Sequence, residues 1–290
     1  TCEDTDYPRE LFELPDAPLL LYCLGNIEKL FAKDERIAVV GTRRASPYGR
    51  RIAESVGERC AAHGLPLVSG GASGIDGCAH AGCCRSGGIT AAVFGTGVDV
   101  VFPASNKQLF ERILEKGALL SEYPLGTKGE PWRFPRRNRI VAALSKKIIV
   151  AEAPEKSGAM ITAKLALELG REVWAVPGRI DEDVASGTNR LIYDGAFPLI
   201  SMDIFFGTLY GQRTIFPEEK SGKNMEMAMP ELSADERCIY DLLRLKGERT
   251  VDNLAVDVKM SAADLLKIMA LLSAKGIIVS SGPGRYSAKT

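Results

Sequence analysis

The sequence is short of the residues on which most catalytic and metal sites depend. It contains two histidines, His63 and His80, and its seven cysteines include no Cys-x-x-Cys pair. No Ser–His–Asp arrangement or zinc site can therefore be argued, and free thiols in a reducing cytoplasm are expected. The phosphate-binding motif GxxxxGK[ST] is also absent, which removes the usual signature of nucleoside triphosphate hydrolysis.

Long apolar runs and net charge are lacking as well. No apolar run approaches the ~20 residues that span a bilayer, and residues 1–10 show no signal-peptide pattern, so no membrane span is expected. The 37 Lys and Arg residues balance the 37 Asp and Glu residues, so a polyanionic partner would have to be held by local patches. Because residue 1 is Thr rather than Met, we expect the 290 residues to be part of a longer protein.

Apolar β-branched runs alternate with helical patterns over residues 37–206. Strands are predicted over 37–40, 65–69, 89–94, 118–121, 147–153, 172–178 and 197–201, and helices over 47–62, 75–86, 105–116, 136–144, 158–169 and 188–194. Nearly all-apolar strands that alternate with helices indicate a doubly wound α/β domain with a mainly parallel sheet. Residues 1–36 are predicted to be an irregular lead-in packed on this domain.

The C-terminal part of the chain has a different pattern. Residues 207–232 lack any period and are predicted to be a linker. Ser233 and Glu236 then form a capping box, and three helices (about 235–245, 250–257 and 261–274) precede a predicted hairpin. This order indicates a small winged-helix domain over 233–290. The third helix and the residue after it carry only two cations, Lys267 and Lys275. The sequence therefore does not decide whether this domain binds duplex DNA or a protein.

The turn after the first predicted strand combines glycine, arginine and a helix start. Gly41 ends the strand, Arg43 and Arg44 follow, and Ser46 and Pro47 suit the N-cap and first position of a helix. Unpaired N–H groups and the dipole at a helix start favour an anion, so a phosphate site is predicted here. An ordinary turn with solvated arginines is the alternative.

Three further segments could serve the same site. SGGASGID (69–76) leads into a helix, although a tight turn would explain its glycines equally, and SGAMITAKLA (157–166) starts another helix that offers an anion site. PWRFPRRNR (131–139) places four arginines around two aromatic rings, a composition typical of single-stranded nucleic acid binding, and its prolines predict a loop. Alternatively, Phe134 packs on the core and the arginines pair with Glu122, Glu130 or Glu152.

Residues that could act as acid or base are few. His80 lies one turn after Asp76 on the same predicted helix, so a general-base pair is conceivable and an internal hydrogen bond is the alternative. Nothing in the spacing pairs Asp76 with Glu122 or Glu152.

Together these segments resemble the DNA-processing protein A family, also called Smf. The motifs VGTRRASPYG, SGGASGIDGCAH, LLSEYPLG, FPRRNRIVAALS, VAEAPEKSGAMITA and SGTNRLIYDGA occur in this order, and the likeness runs from about Tyr7 to Ile200. The resemblance implies an extended Rossmann-like fold that dimerises, protects incoming single-stranded DNA and loads RecA on it during natural transformation and recombination. It also implies no catalysis, no cofactor and no metal.

The resemblance also assigns roles to residues. Arg43 would hold a phosphate, Phe134 would stack on a base, and Asn138 and Arg139 would lie beside the DNA. The full set of expected DNA-binding residues is Gly41, Thr42, Arg43, Arg44, Ser46, Gly70, Ser73, Gly74, Phe134, Arg136, Arg137, Asn138, Arg139, Ser157 and Gly158. Ser73 stands where the family usually carries Lys or Arg, which predicts one phosphate contact fewer.

Two other functions remain open from the sequence. Related Rossmann-like folds include nucleotide-phosphate-binding enzymes of the phosphoribohydrolase type, in which Glu122 or Glu152 would act, although the PGGxGTxxE signature of those enzymes is absent. Alternatively, the protein is chiefly a docking module for RecA, and its DNA binding is incidental.

Overall fold

The computed structural model describes residues 1–209, 232–246, 249–258, 260–274, 277–282 and 285–288. The chain divides into two units, residues 1–216 and 217–290. Within the described residues, every helix is too short or too polar to cross a bilayer.

The first unit is built on one eight-stranded sheet. Its strands are β1 (Tyr22–Gly25), β2 (Ile37–Val40), β3 (Leu67–Ser69), β4 (Thr90–Phe94), β5 (Ala118–Ser121), β6 (Lys147–Val150), β7 (Glu172–Ala175) and β8 (Phe197–Pro198). Their order is β1-β5-β4-β3-β2-β6-β7-β8, and only the β1–β5 pair is antiparallel among these neighbours. The chain therefore winds outward from β2 in one direction and from β6 in the other, as the predicted doubly wound fold requires.

Helices cover both faces of the sheet. They are α1 (Ile27–Phe31), α2 (Pro47–Ala62), α3 (Ile75–Arg85), α4 (Lys107–Leu114), α5 (Arg133–Ala143), α6 (Gly158–Glu168), α7 (Asp183–Tyr193) and α8 (Met202–Thr208). Alternate residues of β2 enter different cores: Ala38 and Val40 join one cluster, and Ile37 and Val39 join the other. This double burial explains why the strands are apolar at almost every position.

Three local predictions are wrong. The lead-in is not irregular, because β1 is a strand of the sheet and pairs with β5. The predicted loop at 131–139 is mostly helix, since α5 starts at Arg133 and Pro135 falls in its first turn, where a backbone N–H has no helical partner anyway. The helix predicted over 105–116 starts later, because α4 begins at Lys107 and the Ser105 hydroxyl contacts Asn106.

The second unit has the predicted order of elements. It contains α9 (Ala234–Lys246), β9 (Arg249–Thr250), α10 (Val251–Val258), α11 (Ala262–Ala274), β10 (Ile278–Gly282) and β11 (Arg285–Ala288). The capping box is present, with Ser233 N donating to Glu236 Oε2 at 2.8 Å and Glu236 N donating to Ser233 Oγ at 3.3 Å. Lys267 pairs with Asp264 at 3.3 Å. Lys275 and most of the predicted linker lie outside the described residues.

Candidate functional site

A groove of about 880 Å³ opens where the strand order reverses, beyond the carboxyl ends of β2 and β6. The turn after β2 forms one wall with residues 41–44, and residues 154–164 after β6 form the other. The first half of α5 contributes Phe134, Arg137 and Asn138. In open α/β sheets this switch point is the usual place for a ligand.

Arg137 is a buried cation in this groove. Its side chain is 5% exposed, and Nε has no hydrogen-bond partner among the described residues. The guanidinium fits because Gly70 has no Cβ, which would overlap it. Burial lowers the pKa of Arg137 to about 10, against the opposing effect of Asp76, so the group stays charged at neutral pH. A buried charge with unmet donors is costly unless an anion completes it.

Asp76 supplies the negative charge next to Arg137. It is buried at the start of α3 and accepts a hydrogen bond of 3.4 Å from the Ala72 N–H. Burial raises the pKa of Asp76, while the Arg137 charge and this backbone donor act in the opposite direction. Asp76 and Arg137 are therefore two oppositely charged, buried groups at the groove, and burial disfavours the charged form of each.

His80 does not act with Asp76. Its Nδ1 lies 2.7 Å from the Thr90 hydroxyl, and the ring is completely buried. Burial, reinforced by the Arg137 charge, lowers the pKa of His80 to about 3. Of the two predictions for His80, the internal hydrogen bond is therefore confirmed.

The start of α2 is already occupied by a carboxylate. The Ser46 side chain caps the helix by accepting from the Gly49 N–H at 3.1 Å, as predicted. Glu152, however, accepts from the Ser46 N–H at 2.8 Å and from the Ser46 hydroxyl. Glu152 therefore occupies this helix start, and Arg43 and Arg44 on the groove lining are the groups of the predicted phosphate site that stay available for an anion.

The start of α6, on the opposite wall, is open. Ser157 holds the N-cap position, but its hydroxyl makes no capping bond and has no partner among the described residues. Asn138 holds the turn from α5 by donating to the Gly158 carbonyl at 3.1 Å. Lys156 is exposed beside it. Because this helix start has no side-chain cap and Lys156 is exposed beside it, it favours an anion more than the start of α2 does.

Arg43 and Phe134 meet at the edge of the groove. The Arg43 guanidinium is exposed and lies 5.5 Å from the centre of the Phe134 ring, within range of a cation–π contact. Phe134 is half-buried, since a Cβ at Gly95 or Gly129 would come within 3.3 Å of its ring. The ring is thus held firmly and still reaches solvent.

Two of the predicted arginines pair with carboxylates instead. Arg139 is buried, donating to both carboxylate oxygens of Asp16 at 2.9–3.0 Å and to Glu122 at 2.8 Å, and Arg136 lies 3.6 Å from Glu122. Gly74 has φ +81° and faces the Thr42 carbonyl, so it holds two turns together. Six predicted residues are not on the groove lining: Ser46, Gly70, Ser73, Gly74, Arg136 and Arg139.

Of the α6 wall, the sequence predicted only Ser157 and Gly158 as binding residues. Lys156, Met160, Ile161 and Lys164 all line the groove. Positions 157, 160, 161 and 164 follow the i, i+3, i+4, i+7 spacing of one helix face, a signal that was available in the sequence.

Comparison with known proteins places this chain in a family. Residues 1–209 match the family model of DNA recombination-mediator protein A. Protein Smf of Synechocystis is 43% identical over 211 residues, which cover 72% of this chain and 53% of the relative. DNA processing protein DprA of Streptococcus pneumoniae is 44% identical over 193 residues, 67% of each chain. The chain thus spans about half the length of the Synechocystis relative.

Two solved structures have a similar fold. DprA from Streptococcus pneumoniae has a TM-score of 0.66 at 41% identity, covering 70% of this chain and 71% of that one. DprA from Helicobacter pylori, described for its unique single-stranded DNA binding mode, has a TM-score of 0.66 at 32% identity, covering 70% and 93%. The family match, these identities and the shared fold mean that the chain belongs to the DNA recombination-mediator protein A family, the DprA or Smf proteins.

Proposed function

We propose that this protein binds single-stranded DNA in the groove, protects it, and loads RecA on it during natural transformation and recombination in the cytoplasm. The observation that carries the proposal is the buried Arg137, whose Nε lacks a partner, at a groove that also holds the open start of α6. The Helicobacter pylori relative binds single-stranded DNA, which supports the same ligand here.

The groove offers the two kinds of contact that a single strand needs. Arg43, Arg137 and the first N–H groups of α6 would hold phosphates. The Phe134 ring would stack on a base, which requires a base whose face is free, as in a single strand. Because the net charge is zero, affinity would depend on these local contacts and fall with salt.

The test is fluorescence anisotropy with an oligothymidylate at several salt concentrations. Phe134→Ala should weaken binding by about 5- to 100-fold. Arg43→Ala should weaken it and flatten the slope of log affinity against log salt by about 0.7. Arg85→Ala is the matched control, since Arg85 is exposed in the last turn of α3, away from the groove lining. Wild-type affinity in both groove variants would refute the proposal.

We also propose a homodimer that joins through the β8 edge of the sheet. Tyr193 is 83% exposed there, and Phe197 and Ile200 are exposed as well. Pro198 prevents β8 from adding another strand, so side chains would have to make the contact. Tyr193→Asp should shift the protein toward monomer in analytical ultracentrifugation, and an unchanged mass would contradict this interface.

RecA loading is tested separately from DNA binding. The assay follows RecA ATPase activity on oligonucleotides covered by a competing single-strand binding protein, with and without this protein. Stimulation that survives Arg43→Ala and Phe134→Ala would favour the docking-module alternative instead.

No catalysis is part of the proposal. Glu122 and Glu152, the carboxylates that a phosphoribohydrolase reading would need, are engaged with Arg139 and with the start of α2. Incubation with nucleoside monophosphates should release no base, and measurable release would overturn this part.

A further inference from the structure

A second aromatic ring continues the edge of the groove beyond Phe134. Phe102, in the segment between β4 and α4, has its ring centre 5.1 Å from that of Phe134, with the planes inclined by 32°. Phe102 is 45% exposed and lies outside the groove lining. Phe102 and Phe134 together therefore form an aromatic patch at the edge of the groove.

Gly129 joins the two rings into one surface. A Cβ at this position would approach Phe134 Cζ to 3.3 Å and Phe102 Cδ2 to 3.8 Å. Lys128, the preceding residue, is exposed. The surface formed by Phe102, Phe134 and Gly129 therefore has a cation at its border, as a sugar–phosphate backbone passing over it requires.

Phe134 alone offers limited room for bases. Its ring is already in contact with Arg43 and is hemmed in near Gly95 and Gly129. Phe102 is the more exposed of the two residues, and the two ring centres lie 5.1 Å apart, so adjacent nucleotides of one strand can reach both rings.

We propose that Phe102 stacks on a second base, adjacent to the base held at Phe134, and that Lys128 contacts the phosphate of that nucleotide. This inference rests on the proposed function and extends the binding site onto the segment between β4 and α4. The alternative is that a protein partner packs an apolar side chain against Phe102.

The experiment measures oligothymidylate affinity for three variants. Phe102→Ala should weaken binding by about 5- to 100-fold. Phe102→Leu, which keeps an apolar side chain against Phe134 but has no flat ring, should weaken it comparably, and Phe102→Trp should retain it. Phe12→Ala is the matched control, since Phe12 is 48% exposed on the lead-in.

Two further measurements isolate stacking and charge. An oligonucleotide with abasic sites offers no base, so Phe102→Ala and the wild type should bind it equally. Lys128→Gln should flatten the salt slope by about 0.7. An equal loss on the abasic strand would mean that Phe102 does not act by stacking.

The outcomes separate this inference from the proposed function. If Arg43→Ala weakens binding and Phe102→Ala does not, the strand binds in the groove without Phe102. That result refutes stacking on Phe102 and leaves the proposed function intact. If Phe102→Leu binds normally, the side chain serves as an apolar contact, which also overturns stacking. If neither Arg43→Ala nor Phe102→Ala has an effect, the proposed function fails first.

Discussion

Replacing the buried charges at Arg137 and Asp76 should separate binding from stability. Arg137→Met removes a cation that the folded protein leaves partly unpaired, but it also removes the positive charge that favours the ionised form of Asp76, whose pKa burial already raises. Because Asp76 keeps its hydrogen bond from the Ala72 N–H, the free energy of unfolding should fall by about 1–3 kcal/mol, and by less at acid pH, where Asp76 takes up a proton. Adding Asp76→Asn removes the second charge, so the double variant should be as stable as the wild type or more stable.

Binding should not recover with stability. A hydrogen bond to a charged group contributes about 1.5–3 kcal/mol, so the double variant should bind oligothymidylate about 10- to 100-fold more weakly. Urea unfolding and fluorescence anisotropy on the same samples give both quantities. Arg85→Met controls for the loss of one positive charge on the exposed end of α3. A stable double variant with wild-type affinity would show that Arg137 is structural only.

Three further changes test the surroundings of the groove. Arg139→Met should lower the free energy of unfolding by about 1–3 kcal/mol, because Glu122 loses its 2.8 Å partner and keeps only the 3.6 Å contact with Arg136. The folded fraction should keep its affinity; weaker binding with unchanged urea unfolding would reverse this assignment. Glu152→Ala should cost about 1–3 kcal/mol, since it leaves the Ser46 N–H and the start of α2 without an acceptor, and an unchanged urea midpoint would contradict the capping role. The pKa of His80 is about 3 in the folded protein and 6.5 in the unfolded chain, so protonation of His80 favours unfolding. The free energy of unfolding should therefore fall by up to roughly 5 kcal/mol as the pH drops from 6.5 to 3. His80→Asn should lessen this loss in acid unfolding curves.

Much of the fold could be predicted from local pattern. The helix at Pro47–Ala62 has the predicted limits, because Ser46 and Pro47 are strong start signals next to each other. The same reasoning failed at α5, where Pro135 suggested a loop although proline is harmless in a first helical turn. Strand β1 escaped notice because Tyr22–Gly25 is short, partly exposed and ends in glycine.

The site was harder to predict, because its decisive contacts join distant segments. Glu152 reaches Ser46 across 106 residues, and Arg139 reaches Asp16 across 123. The sequence showed that arginines and glycines gather at the ends of strands. It could not show which arginines are neutralised inside the protein, or that Gly70 makes room for a guanidinium rather than for a phosphate.

The two walls of the groove differ at their helix starts, so the groove presents different contacts to the two orientations of a bound strand. One wall begins with a helix start that is occupied by the protein's own carboxylate, and the other begins with a helix start that has no side-chain cap. A chain of phosphates laid across such an asymmetric channel meets different partners when its 5′ and 3′ ends are exchanged. In a two-fold symmetric pair of subunits, the strands in the two channels would therefore be related by the same two-fold rotation as the subunits.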